Sequence, residues 1–167
     1  MSELCVRNRQ RLRPVHLPLL RRVVRALLRQ RFPSSEVDLG VYLVAAPEMA
    51  RLNETFLHHP GSTDVITFCY SEPASARSPD PSRRPPVKVL SGEIVISIDD
   101  ALRQARQFRT SWQSEVIRYL VHGLLHLQGY EDLTLAARRV MKREEDRLVE
   151  ELARRFPLSD LGRKPRL

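Results

Sequence analysis

Apolar positions Leu19, Leu20, Val23, Val24, Leu27 and Leu28 recur at helical spacing with arginines between them, which predicts an amphipathic helix over 17–31. The period then changes. Val37, Leu39, Val41 and Leu43 alternate with other residues, as in a half-buried strand. Pro47 and Glu48 suit the first turn of a short helix ending near Phe56. "HHPGS" reads as a loop, and the β-branched and aromatic run "TDVITFCY" as a second strand. Residues 71–88 hold five prolines and mixed charges, so a Pro/Ser/Arg-rich exposed loop is expected over about 71–90. "GEIVISID" follows as a third, central strand. Acids open the helix "DDALRQARQF". Thr110 and Gln113 have capping-box spacing ahead of a helix over 112–128, which Gly129 is placed to end. A long charged helix runs from 133 to about 156, followed by a basic tail from about 157. The order α, β, α, β, β, α, α, α predicts one α+β domain over 1–167, a small mixed β-sheet packed with helices.

Composition narrows the class. Apolar residues are 42% of the chain, yet none of their runs approaches the length of a membrane span. No apolar segment follows the charged N-terminus as in a secretory signal. Cys5 and Cys69 lack CxxC spacing and read as free thiols of a reducing compartment. A cytoplasmic protein with no membrane partner is expected. The net charge is +8, and nine arginines against the single acid Glu3 fall in the first 31 residues. That excess fits a polyanionic partner, nucleic acid first, or simply the solvated surface of an arginine-rich chain.

The chemistry concentrates in "VHGLLHLQGYEDL", residues 121–133. Residues four apart on a helix lie about 40° apart around the axis and roughly 6 Å along it, so His122 and His126 share one stripe. They can be two ordinary histidines of a buried helix, or two ligands of one metal ion. Gly129 lets the chain leave the helix and return Asp132 toward the same point. The spacing H-x3-H-x5-D is the zincin-like frame of the metzincins, with Asp132 where a third histidine usually stands. Glu131, one residue nearer the helix, is the competing ligand. A peptidase of the HExxH type needs a glutamate after the first histidine, and that position is Gly123. The peptidase reading therefore loses its general base, leaving a different hydrolysis or a structural metal.

"HGLLHLQGY" with its following acids, together with "RLNETF", "GSTDVITF", "LSGEIVIS" and "VMKREED" in order, resembles the YbeY family of bacterial metal-dependent endoribonucleases over about 37–152. The resemblance implies one zinc ion held by His122, His126 and Asp132. It also implies single-stranded RNA as substrate, notably the 3′ region of small-subunit rRNA. Partners would be the small ribosomal subunit and its proteins, with a part in ribosome quality control. The chain departs from the family at two positions. Asp132 replaces the usual histidine, and Leu57 stands where the family usually has an arginine. A site of two histidines and one carboxylate with an open position is a known catalytic zinc arrangement. The apolar Leu57 instead favours an alternative, a non-catalytic metal-binding ribosome-assembly or RNA-binding factor. His58 and His59 are candidate donors on the same loop, and Arg51 or Arg84 can reach in from elsewhere. Thr63 and Asp64 are candidates for orienting substrate. Glu115, seven residues before His122, is either a base or a solvent-facing acid.

Overall fold

The computed structural model describes residues 2–71 and 87–164. Four strands, β1 (Glu3–Asn8), β2 (Glu36–Val44), β3 (Val65–Cys69) and β4 (Val89–Ser97), form one sheet in the order β1-β2-β4-β3. The first three in that order run parallel, and β3 lies antiparallel to β4 at one edge. Five helices accompany them: α1 (Leu17–Arg31), α2 (Ala46–Leu52), α3 (Ile98–Phe108), α4 (Trp112–Gln128) and α5 (Leu135–Arg155). This is the expected α+β arrangement on a mixed sheet.

The alternation of β2 sends Val37, Leu39, Val41 and Leu43 to one face, where with Leu90, Ile94 and Ile96 of β4 they meet the apolar stripes of α1, α4 and α5. A smaller cluster on the other face packs Val44, Ile66 and Val95 under Met49 of α2. Gly123 sets how closely α4 approaches the sheet. A Cβ there would lie 2.9 Å from Ile94 Cγ2.

Several boundaries and caps differ from the expected ones. β1 was not anticipated; it has one deeply buried residue, Val6, and is held mainly by its parallel ladder to β2, which no short-range pattern reveals. β4 begins at Val89, inside the expected 71–90 loop, of which residues 72–86 lie outside the described residues. Ser111, not Thr110, caps α4: its Oγ accepts the Ser114 N–H at 3.1 Å. α5 starts at Leu135 because Thr134 Oγ1 accepts the Ala137 N–H. The tail expected from 157 continues into a 3-10 turn, Leu158–Gly162, which buries Leu161 and accepts the His16 N–H. α2 ends in a π-turn, Asn53–Leu57, that His58 closes at φ 57°. Buried Asn53 donates from Nδ2 to the Gly61 carbonyl and ties the following loop down.

Candidate metal centre

α4 is apolar along most of its length and buried between sheet and α5, so its two histidines emerge at the one side it leaves open. Gly129, at φ 104°, donates its N–H to the last carbonyls of the helix and turns the chain. The short segment between Gly129 and the Thr134 cap returns Asp132 to the histidines. His122 Nε2 and His126 Nε2 are 3.0 Å apart, and Asp132 Oδ2 lies 3.8 Å from the first and 3.7 Å from the second. A point equidistant from the three atoms is about 2.0 Å from each, the length of a zinc bond to nitrogen or oxygen. No other group of three His, Cys, Asp or Glu side chains among the described residues converges in this way. Glu131 is exposed and outside the group.

The far side of each ring is also engaged. His122 Nδ1 donates to Glu145 Oε2 at 2.9 Å, and His126 Nδ1 donates to the Tyr130 carbonyl at 3.1 Å. Both bonds favour the tautomer that leaves the Nε2 lone pairs directed at the shared point. Glu145 is buried, and its other oxygen accepts from Arg118 Nη1 at 2.7 Å. Burial alone would raise the Glu145 carboxyl, but hydrogen bonds from His122 and Arg118 hold it below the usual range. Burial likewise opposes charge on His122, and the bond to Glu145 reverses that, raising the imidazole. His126 is lowered, first by burial and then by its neighbour His122.

The three groups sit at the floor of a cleft of about 410 Å³, walled by Leu57, Asp64, Val65, Thr67 and Cys69. The histidine and aspartate side chains are roughly one-third to two-fifths exposed, so the ligand cluster opens to solvent on the cleft side. Among the described residues, β3 has a ladder partner only in β4. No Lys or Arg is among the described residues lining this cleft.

The remaining sequence candidates fall in different places. Asp64 lines the cleft, and its Oδ1 accepts the Val65 N–H at 2.8 Å. Thr63 stands beside it, its hydroxyl 3.4 Å from the same oxygen. His58 and His59 are exposed on the loop after the π-turn and are absent from the cleft lining, as is Arg51 on the outside of α2. Arg84 lies outside the described residues. Glu115 is not the solvent-facing acid expected, nor is it in the cleft. It is buried at the start of α4, where Thr110 Oγ1 donates to it at 2.6 Å. Tyr130 and Met141 are buried, and the Tyr130 carbonyl meets His126. Cys5 and Cys69 are both free thiols.

The residue missed in the sequence is Glu145. Its signal was present: Met141, Leu148 and Leu152 form the buried stripe of α5, and an acid at 145 falls on that stripe. An acid in an apolar stripe demands a partner, here a histidine 23 positions away.

Fold and site together define an α+β protein with a candidate mononuclear metal centre of two histidines and one carboxylate, held by a helix and the turn that follows it. The family model described as Endoribonuclease YbeY matches residues 6–153, and the chain belongs to that family. Endoribonuclease YbeY of Salinibacter ruber is 35% identical over 116 residues, 70% of this chain and 71% of the relative. The Chlorobium phaeovibrioides protein of the same name is 31% identical over 130 residues, 78% of each chain. The solution structure of TM1509 from Thermotoga maritima superposes with a TM-score of 0.61 over 98% of this chain and all of that one, at 24% identity, a likeness of fold.

Proposed function

We propose that this chain is a single-domain, zinc-dependent endoribonuclease specific for single strands, acting in the cytoplasm on the 3′ region of small-subunit rRNA and in ribosome quality control. The observation that carries the reading is the convergence of His122, His126 and Asp132 on one point at the floor of an open cleft. Family membership supports RNA as the substrate. The small ribosomal subunit and its proteins are the proposed partners. No helix among the described residues is long and apolar enough to cross a membrane.

On this zincin-like frame His122, His126 and Asp132 would hold the ion, while Glu145 and the Tyr130 carbonyl orient the two rings. A divalent cation held there would supply Lewis acidity to a phosphoryl oxygen and would acidify a bound water. Asp64 places a carboxylate on the cleft wall, where it would be the acidic group beside a bound substrate. Gly123 has no side chain to serve as base, and its Cα faces Ile94 of the sheet, so a peptidase-type glutamate has no room there.

Purified protein is expected to hold one zinc per chain and to cut single-stranded RNA but not duplex. His126→Ala should abolish cutting while circular dichroism stays unchanged. The second reading, a metal-binding RNA or ribosome-assembly factor, draws on the absence of Lys and Arg from the described cleft lining, with apolar Leu57 on its wall. Zinc-loaded protein that binds RNA and never cleaves it would establish that reading in place of the first.

A further inference from the structure

We propose that Arg138 is the cation that faces the scissile phosphate, an inference that rests on the RNA-cleaving reading above. Breaking a phosphodiester places charge on the phosphoryl oxygens, and a site that does so needs fixed positive charge beside them. The described walls of the cleft carry none, and two of the groups there, Asp64 and Asp132, are acidic. Arg138 lies in the first turn of α5. Its Nε donates to the backbone carbonyl of Asp132 at 3.3 Å, which ties the guanidinium to the main chain of the residue that carries the candidate ligand oxygen, although Arg138 is not itself among the residues lining the cleft. The residue is exposed, and no carboxylate among the described residues pairs with it. The bond to Asp132 uses one N–H of the five that a guanidinium carries, leaving its outer edge for a phosphate.

The helix phase agrees. Arg138, Met141 and Glu145 are related by three and seven residues and therefore share one face of α5. Met141 and Glu145 are buried on that face, and Glu145 is bonded to His122. Arg138 extends the same face two turns toward the helix start, to the level of the turn that delivers Asp132. There the stripe leaves the core and reaches solvent. One face of α5 thus orients a ligand at one level and presents a cation at the next.

The test compares wild type with Arg138→Gln and Arg138→Lys, reading kcat and KM on single-stranded RNA, zinc affinity by chelator competition, and RNA affinity by anisotropy. An exposed position should tolerate both changes, which thermal unfolding checks. Arg138→Gln is expected to lower kcat about 10²-fold with zinc affinity unchanged, and lysine to restore part of it. Full activity in Arg138→Gln overturns the proposal. So does a loss of activity that tracks loss of zinc, since Arg138 would then only brace Asp132. If wild type cleaves no RNA, the nuclease reading fails separately. Binding then decides Arg138: equal RNA affinity in wild type and Arg138→Gln overturns it, and weaker binding in the variant supports a phosphate contact.

Discussion

His122 reaches Glu145 through Nδ1, so deleting that carboxylate frees the ring to turn and weakens it as a donor. Glu145→Ala is expected to lower zinc affinity about 10- to 100-fold, read by chelator competition. Glu145→Gln should cost less, because an amide oxygen still accepts the Nδ1 proton. Asp132→Ala should reduce occupancy sharply, whereas Glu131→Ala should leave it unchanged. Equal losses from the two would reopen the choice of third ligand. At this scale the primary cluster was legible, since three candidate ligands within 11 residues leave a spacing signature. Glu145 was not, because its partner lies on another helix and only the fold brings them together. Glu115 misled for the converse reason. Its helical phase is shared with His122, yet a hydroxyl from outside the helix, Thr110, claims it at the buried end.

Whole elements were read with uneven success, and the differences follow from how each is stabilised. The bounds of α1 and α4 matched because strong periodicity, caps and a terminal glycine all act locally. β1 escaped because a six-residue edge strand is specified by its ladder to β2. The seating of α4 on the sheet depends on Gly123, and a test follows. In Gly123→Ala the new Cβ would meet Ile94 Cγ2 at 2.9 Å, on a central strand with little freedom to move. Overpacking of this kind costs about 1–3 kcal/mol, a fall in Tm of several degrees. Because α4 carries both histidines, zinc affinity should fall with it. A variant as stable as wild type would mean that the helix rides on the sheet more loosely than this contact implies.

Across the molecule, α1 and α5 are joined by Arg31, which bonds to Glu144, and by Gln30, which donates to Glu151, while Arg22, Arg25 and Arg29 of α1 are exposed. The Glu144 carboxyl is lowered chiefly by its bond from Arg147, against burial, with Arg31 adding to the effect. A depressed folded-state pKa gives stability that is present above the ordinary carboxylate range and lost as pH falls through the depressed value. Arg31→Gln should therefore lower Tm near neutrality, and the gap to wild type should narrow in acid.

The outward arginines raise a separate question, whether the +8 charge serves RNA or only solubility. α1 contains no acid, and Arg22, Arg25 and Arg29 are exposed on it. Its buried face packs toward β1 and β2, whereas the cleft borders β3, at the other end of the strand order. Three interstrand spacings of about 4.8 Å separate the two edges, roughly 14 Å in all. An RNA that touches both must cross the sheet, so a dinucleotide cannot. Replacing Arg25 and Arg29 with glutamine is expected to weaken binding of long single strands and to leave cleavage of very short ones unaltered. Each phosphate neutralised contributes about 0.7 to the slope of log affinity against log salt for single strands, so the slope should shrink by about 1.4. Anisotropy titrations across a salt series measure it. An unchanged slope would assign these arginines to a solvated face, and the RNA contacts to the cleft and its rim.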